Sequence, residues 1–280
     1  MAKSFNQIIL DGDHIFDNSE TQLQRSLQSA ESIIYDELIK LLNTVDVSAG
    51  RLQTNSKVEN FLMSMDKRIY DALKKADYNN SVLKYTKNFS LLTDNIQNLH
   101  SKFSGINITD AQIDPFLKLE VNSTIDKLTG SGMAKDFINP IRESLYRNIM
   151  LGAEVTTVEK TIRDFVVTSA KSDSKLLRYV KQVSRDSIQQ FDGIVQANIA
   201  QELGLNAKRY VGSLIQDSRK QCVRWVDDGV IMLDDLQSEI DWAFANGSGM
   251  NPATTIFTFD IFRGGYNCRH RSIPFNFVGK

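Results

Sequence analysis

The sequence predicts a predominantly helical α+β protein, in which a long-helix N-terminal region precedes a small C-terminal α+β domain with short strands. Residues 1–105 contain three glycines and no proline, whereas residues 229–280 contain six glycines and two prolines. Glycine and proline concentrate in turns and loops, so long helices are expected first and a loop-and-strand structure last. Apolar residues also recur at spacings of three and four in the first region, and short apolar runs with strand-like alternation replace this pattern after Gly204.

The composition excludes several classes of protein. The chain has 280 residues, of which 41% are hydrophobic and 24% are charged, as in a soluble globular protein with one large or two ordinary domains. A net charge of −1 argues against a protein built chiefly to bind nucleic acid or a membrane surface. No apolar run approaches the roughly 18 residues of a membrane span, and the N-terminus lacks the pattern of a secretory signal. Two cysteines make no disulfide framework, so cytosolic synthesis is expected.

The N-terminal segment, residues 1–105, contains three apolar stripes that predict long helices. The first stripe follows Ser19 and Gln22, whose spacing fits the capping box that starts a helix. The stripes are narrow and the opposite faces polar, which favours helices packed in hairpins or in a loose bundle. We interpret the stripes as core, with a seam for a neighbouring chain as the alternative. Their members are Leu23, Leu27, Ala30, Ile34, Leu38 and Leu41; Val58, Leu62, Met65, Ile69, Leu73 and Ala76; and Tyr85, Phe89, Leu92, Ile96, Leu99 and Phe103.

The second segment, residues 106–170, is expected to add further helices. The stretch 104–114, closed by Pro115, predicts a joint between the two segments. Helices are then predicted at 115–128, at 134–150 with an interruption at Pro140, and at 154–170.

The third segment, residues 171–280, is expected to begin with a long helix at 173–203 that Gly204 ends. A basic stripe follows one side of this helix. Because Asp173 and Asp186 lie nearby and no aromatic residues interleave, we interpret the stripe as a solvated face rather than a phosphate-binding one. The stripe consists of Lys171, Lys175, Arg178 and Arg185, and the apolar face of Leu177, Val180, Val183, Ile188, Phe191, Val195 and Ile199.

Short strands and one short helix are predicted after Gly204. The run at 254–262 alternates apolar and polar residues, which is typical of a half-buried strand. The strands are predicted at 209–215, 229–233 and 254–262, and the helix at 233–244, ending at Asn246 and Gly247.

Two polar clusters in this segment carry most of its chemistry-bearing residues. The first is QDSRKQCVRWVDDG at 216–229 and the second is RGGYNCRHRSIP at 263–274. Gly264 and Gly265 predict a turn that needs positive φ or a close backbone approach. Asn267 tolerates left-handed geometry and can cap backbone groups. Pro274 is expected to stop the element that follows.

Three chemical interpretations of the two clusters compete. Cys222, Cys268 and His270 are the kinds of ligand that zinc prefers, although paired C-x-x-C or H-x-x-x-H spacings are missing. The fourth ligand would then be Asp217, Asp227 or Asp228. Alternatively, Cys268 is a nucleophile with His270 as its base, since residues i and i+2 of an extended segment share a face.

The third interpretation is structural, and we favour it. The two segments then lie side by side, the thiols of Cys222 and Cys268 approach each other, and Arg219 and Arg269 pair with the nearby aspartates. No cofactor and no catalytic residue are expected on this interpretation.

The order of the two motifs resembles the C-terminal domain of the phage head morphogenesis family, the Mu F-like minor head proteins. The resemblance covers about 173–275, and we assign residues 171–280 to this domain. The matching residues are Asp217, Ser218, Arg219, Cys222, Asp228 and Gly229, and then Gly264, Gly265, Asn267, Cys268, Arg269, His270 and Pro274.

The resemblance implies a minor capsid protein of a tailed bacteriophage, not an enzyme, that associates with the portal or the major capsid protein. Such proteins aid head assembly, genome packaging or ejection, and lie in the capsid interior or at the portal vertex after assembly in the host cytoplasm. Some relatives carry a toxin-like domain after the motif, which is not expected in the six residues that follow Pro274.

Other expectations concern the partners of the motif and the alternative functions. The motif could touch packaged DNA weakly through Arg263, Arg269, His270 and Arg271, although salt bridging is preferred for the arginines. No membrane contact is expected. The alternative functions are a Cys/His-dependent nuclease or transferase and a zinc-stabilised binding module.

Overall fold

The computed structural model describes residues 4–265, 268 and 270–278, except for the side chains of Ser19, Glu20 and Gln22. These residues form a predominantly helical structure with short antiparallel strands in two small sheets. The predicted α+β fold class is therefore confirmed. None of the described helices combines the length and the apolar character that crossing a membrane requires.

The N-terminal segment contains long helices, as predicted, but the first one starts earlier. Because α1 runs without a break through Ser19, the predicted helix start there is wrong, and the side chains of the proposed capping box lie outside the described residues. A capped start does occur in α2, where Asn55 Oδ1 accepts a hydrogen bond from the Lys57 backbone N–H at 2.9 Å. The helices are α1 (Phe5–Leu42), α2 (Ser56–Lys75) and α3 (Tyr78–Phe103).

The three predicted stripes are buried along most of their length. The exceptions are Leu41 and Ala76, which are half-buried, and Phe103, which is exposed. A hairpin of two short strands, β1 (Val47–Ser48) and β2 (Arg51–Leu52), stands between α1 and α2.

The joint after α3 is shorter than predicted, because α4 already begins at Asp110. At this point Gln112 Oε1 accepts from the Thr109 backbone N–H at 3.0 Å and from the Thr109 hydroxyl at 3.1 Å, and the first of these bonds is one half of a capping box. Pro115 therefore lies inside α4 and does not close the joint. Its missing N–H removes one intrahelical hydrogen bond, which the rest of the helix tolerates.

The helices that follow match the predicted positions with shifted ends. Pro140 is the second residue of α6, and the predicted interruption takes the form of a π-helical turn that leads directly into this helix. The left-handed Gly204 (φ 58) follows the end of α8, as predicted. The bounds are α4 (Asp110–Thr129), α5 (Ser131–Met133), the π-helical turn (Ala134–Ile138), α6 (Asn139–Met150), α7 (Val155–Val166) and α8 (Lys175–Glu202).

The C-terminal segment contains a three-stranded antiparallel sheet in the order β4-β3-β5. Two of the three predicted strands are confirmed, although β3 starts and ends a few residues early. The elements are β3 (Ala207–Val211), α9 (Lys220–Asp228), β4 (Val230–Met232), a 3-10 turn (Leu233–Asp235), α10 (Leu236–Asn246), α11 (Phe259–Phe262) and β5 (Arg271–Phe275). The helix predicted at 233–244 corresponds to the 3-10 turn and α10.

The strand predicted at 254–262 is wrong, because this run folds into turns and α11. Thr258 Oγ1 donates to the Ala253 carbonyl at 2.6 Å and accepts from the Thr255 backbone N–H at 2.8 Å. Such local side-chain bonds satisfy the backbone without a neighbouring strand.

The last strand, β5, was missed, and Pro274 does not stop an element but lies within it, opposite Lys208 of β3. Proline lacks the N–H that a central strand needs, but β5 is at the edge of the sheet, where proline is tolerated.

The described residues divide into two compact units, each assembled from segments that are distant in sequence. The first unit draws on residues 1–18, 87–121 and 185–280, and the second on 19–86 and 122–184. All described residues of the two C-terminal motifs belong to the first unit. The division of the sequence into 1–105, 106–170 and 171–280 stays a prediction.

The second unit is held by buried apolar stripes and a few long-range polar bonds. Glu31 binds the 167–174 connection, accepting from the Thr168 backbone N–H at 2.9 Å and from the Ser174 hydroxyl at 2.6 Å. The Tyr85 hydroxyl donates to the Ser184 carbonyl at 2.5 Å. The helix α7 ends at Val166, earlier than the predicted 170, and the Thr168 N–H beyond it is satisfied by Glu31 instead of by a helical carbonyl.

Candidate functional site

The two C-terminal motifs meet at a buried group of three side chains, Cys222, Cys268 and His270, here called the CCH cluster. Cys222 is on the first turn of α9, and the other two residues lie just before β5. The two Sγ atoms are 3.9 Å apart, and Cys268 Sγ is 3.6 Å from His270 Nδ1. All three ligand atoms lie within 4.8 Å of one another. The expected approach of the two thiols is therefore confirmed.

Two glycines let the motifs come this close. A Cβ on Gly264 would lie 2.3 Å from Cys222 Sγ and 3.1 Å from Cys268 Sγ, so no side chain fits there. Gly265 has a φ of 102°, and a Cβ on it would lie 1.9 Å from the carbonyl oxygen of Gly249. Both the positive φ and the close backbone approach expected of this pair are present.

Side chains of the first motif donate hydrogen bonds to the backbone of the second. Arg219 Nη1 and Gln221 Nε2 both donate to the Gly264 carbonyl, at 3.1 and 3.0 Å. Gln221 Nε2 also donates to the Ser248 carbonyl at 2.7 Å. Arg219 thus joins the two motifs through a backbone carbonyl, which the sequence did not indicate.

The expected ion pair of Arg269 with an aspartate stays a prediction, because Arg269 lies outside the described residues. Asp228 pairs with Arg224 on its own helix, at 3.8 Å. Asp217 and Asp227 are exposed. Gly229 has a left-handed conformation (φ 70) and ends α9 by donating its N–H to the Trp225 carbonyl at 3.1 Å. The predicted residues Asn267 and Arg269 lie outside the described residues.

Tyr210 of β3 completes the surroundings of the CCH cluster and was not singled out as a site residue. Its hydroxyl is 3.2 Å from Cys268 Sγ and 3.8 Å from Cys222 Sγ, and its ring stacks on His270 with centroids 5.4 Å apart. Gly212 packs on the same imidazole, since a Cβ there would lie 2.8 Å from His270 Cδ2. The histidine ring is therefore fixed between β3 and its extension.

The pKa values of the two thiols are shifted in opposite directions. The hydrogen bond from the Cys222 thiol lowers the pKa of the Cys268 thiol well below its usual value; burial opposes this effect, and His270 adds to it. Donating that same bond, together with burial, raises the pKa of Cys222. Burial and the adjacent thiols raise the pKa of Tyr210, so its hydroxyl stays a neutral donor.

A second buried group, the Arg–Asp–Arg network of Arg263, Asp192 and Arg271, lies next to the cluster. Arg263 Nη2 and Arg271 Nη2 donate to the two carboxylate oxygens of Asp192, at 2.5 and 2.9 Å. Arg263 Nη1 also donates to the His270 carbonyl at 2.8 Å, and Arg271 Nη1 to Asn95 Oδ1 at 2.9 Å. The network joins α3, α8 and the C-terminal segment.

The network corrects the expected DNA-facing patch. The side chains of Arg263 and Arg271 are only 2% and 0% exposed, and His270 is also buried, so these residues face the interior. Salt bridging is confirmed for both arginines, but the partner is Asp192, which sequence reasoning missed. The only signal for it was a carboxylate beside Phe191 on the apolar face of the long helix.

The charge state of Asp192 follows from its partners. Burial by itself would raise the pKa of this carboxyl, but Arg271 and Arg263 outweigh burial, and the pKa is lowered. A further buried ion pair joins Lys208 of β3 to Asp260 of α11. It was also missed, because Lys208 sits in a short strand whose neighbours could not be predicted.

The basic stripe on the long helix agrees with a solvated face. Lys171, Lys175 and Arg178 are exposed and Arg185 is half-buried. The ammonium of Lys175 lies 3.8 Å from the centroid of the Phe165 ring. This lysine therefore makes a cation–π contact within the protein and is not directed at a phosphate.

A cavity of about 130 Å³ borders the CCH cluster. Besides the three cluster residues, its lining includes Ser213, Asp217 and Arg219. Most of the residues that line this cavity are therefore polar. Such an arrangement can serve as a thiolate nucleophile beside an imidazole, or as a set of soft metal ligands with an adjoining space.

Comparison of the chain with protein-family models, with curated proteins and with solved structures found no match.

Proposed function

We propose that this protein is a minor capsid component of a tailed bacteriophage that associates with the portal or the inner capsid and aids head assembly, packaging or ejection. The proposal starts from the paired motifs and their resemblance to the phage head morphogenesis family. Its main structural support is the way the motif residues bind one another. Gly264 fits between both thiols, while Arg219 and Gln221 hold its carbonyl.

This bonding pattern suits a structural role because the polar groups are used within the protein. A catalytic motif would direct such groups at a substrate, whereas Arg219, Gln221 and Arg263 all donate to backbone carbonyls of the C-terminal segment. The motif thereby fixes a small domain that can be carried into a larger assembly. The remaining contacts with the portal or capsid would come from exposed helical faces.

The experiment is mass spectrometry of purified particles and procapsids from the source that encodes the chain, with copy number measured against the major capsid protein. Low-copy presence in both supports a minor head component. Absence from both, with soluble protein in the infected cell, overturns the proposal. Cross-linking within procapsids then identifies the contacted protein as the portal or the major capsid protein.

The second candidate is a Cys/His-dependent enzyme, and the lowered pKa of Cys268 beside His270 and the cavity favours it. Nuclease and transferase assays on the purified chain test it. An activity that Cys268→Ser abolishes, while the melting temperature stays nearly unchanged, supports the enzyme. A Cys268→Ser protein that is strongly destabilised and a wild type without turnover support the structural role.

A further inference from the structure

We propose that the CCH cluster binds one zinc ion through the two cysteine thiolates and the His270 imidazole, with a fourth position that opens on the adjoining cavity. This inference is independent of a role in the virion. It concerns a site that the structural interpretation of the motif leaves without a ligand.

The distances within the cluster fit tetrahedral zinc. Zinc–sulfur bonds of about 2.3 Å and zinc–nitrogen bonds of about 2.0–2.1 Å, at tetrahedral angles, place two sulfurs about 3.8 Å apart and a sulfur and a nitrogen about 3.6 Å apart. The two Sγ atoms are 3.9 Å apart and Cys268 Sγ is 3.6 Å from His270 Nδ1. The third separation is within 4.8 Å, so a small rotation of the Cys222 side chain closes the set. A disulfide, at about 2.05 Å between the sulfurs, would require a much larger movement.

The ligand chemistry selects zinc over harder cations. Two thiolates and an imidazole are soft or borderline ligands, whereas calcium and magnesium prefer oxygen. Two thiolates neutralise the charge of Zn²⁺, so the loaded site adds no net charge to a buried region. Both sulfurs bind zinc as thiolates, so any proton that a thiol still holds is released on binding, which makes zinc affinity rise with pH.

The residues around the CCH cluster orient the three ligands, as residues that contact the ligands of metal sites commonly do. The Tyr210 hydroxyl, 3.2 Å from Cys268 Sγ, donates to a thiolate, and its ring and Gly212 fix the imidazole plane. Gly264 leaves no space for a side chain against either sulfur. Among the described residues His270 Nε2 is buried without a hydrogen-bond partner, so binding of zinc at Nδ1 breaks no hydrogen bond at the other ring nitrogen.

The fourth ligand lies on the cavity side. Ser213, Asp217 and Arg219 line this space together with the cluster residues. A water or a small anion there would face the Arg219 guanidinium. Three protein ligands with one open position differ from the closed four-ligand sites that only stabilise a fold.

The test begins with the full chain purified from zinc-supplemented cells under reducing conditions. Elemental analysis and native mass spectrometry count the metal, and Co²⁺ substitution reports thiolate ligation through charge-transfer and visible d–d bands. We expect roughly one zinc per chain in the wild type, at most about a tenth of that in Cys222→Ser and Cys268→Ser, and the full amount in the control His14→Asn. Tyr210→Phe keeps the three ligands and should weaken zinc affinity by about 10–100-fold.

A second measurement covers the case in which a cysteine variant fails to fold. A chelator should lower the melting temperature of the wild type, and readded zinc should restore it. A wild type that stays metal-free and melts at the same temperature with zinc or chelator overturns the proposal. So does zinc that Cys268→Ser retains in full, or an intact mass that shows a disulfide under reducing conditions. The virion proposal survives each of these outcomes, because its own test is the copy number in particles.

Discussion

Replacing Asp192 with asparagine tests the Arg–Asp–Arg network. The substitution keeps the shape of the side chain but removes the charge that two buried guanidinium groups face. Breaking a buried ion pair by removing one partner typically costs about 3–5 kcal/mol, which is a large part of the total stability of a protein. At about 2–4 °C for each kcal/mol, the melting temperature should fall by roughly 6–20 °C.

Circular-dichroism melts measure this effect, and hydrogen exchange locates it. Peptides from α8 and β5 should lose protection, since the network joins these elements. Asp241 is exposed on α10, and the matched control Asp241→Asn should change the stability by no more than about 0.5 kcal/mol. An Asp192→Asn protein that melts within a degree or two of the wild type, with unchanged exchange, would refute the reasoning.

The same substitution predicts a change in pH dependence. The pKa of Asp192 is lowered in the folded protein, so the unfolded chain takes up this proton at a higher pH than the folded protein does. The stabilisation is therefore complete above the unfolded pKa of about 3.9 and is lost as the pH falls through the lower folded value. The gap in stability between wild type and Asp192→Asn should be widest near neutral pH and narrow in acid.

Three further substitutions probe separate contacts. Gly193→Ala should destabilise the folded protein, because the added Cβ would lie 2.1 Å from the Asp260 carbonyl oxygen. This clash should outweigh the advantage of about 1 kcal/mol that alanine has over glycine within a helix. A gain in melting temperature would contradict the close approach. Gly264→Ala should cost about 1–3 kcal/mol through overpacking against the thiols, and a denaturant titration that overlays the wild type would argue against the packing described. Glu239→Gln should lower the free energy of unfolding by about 1 kcal/mol at neutral pH. The hydrogen bond from Arg224 has the largest effect on the pKa of Glu239, and together with the bond from Trp225 it lowers this pKa in spite of burial. Since that contribution is present above the unfolded pKa and lost in acid, paired melts at neutral pH and near pH 3 should show the difference shrinking.

The parts of the fold that follow from local periodicity were predictable. The spacing of Leu23, Leu27 and Ala30 matches the period of an α-helix, and most residues of the predicted stripes are buried, as expected for the apolar face of a helix. Helix ends were less predictable because they depend on single side chains. At the start of α4 the Gln112 side chain accepts from the Thr109 N–H, whereas the nearby Pro115 favours a later start.

The strands show the limit of pattern reasoning. The alternation at 254–262 is as good as that of a real strand, but Thr258 uses its hydroxyl to stabilise a turn. In contrast, the sequence of β5 does not resemble a strand, because it contains Arg271 and Pro274, and its partner strand β3 is far away in sequence. Pairing of this kind is a property of the folded chain and leaves little trace in a local window.

The candidate site was predicted in its members but not in its surroundings. The two motifs were sufficient to predict that Cys222, Cys268 and His270 lie close to one another. Asp192 and Tyr210 could not be connected with them, because each looks like an ordinary member of a helix or a strand. What selects these two residues is a contact formed only when β5 pairs with β3.

The long sequence distance closed by Arg271 has a consequence for synthesis on the ribosome. Its hydrogen bond to Asn95 spans 176 residues, and its bond to Asp192 spans 79. A nascent chain exposes α3 and α8 long before residue 271 leaves the exit tunnel, so the Asp192 carboxylate waits for Arg271 until β5 has emerged. The first unit therefore completes its folding only after β5 has emerged, and a ribosome that stalls before codon 271 yields a chain in which this unit cannot close.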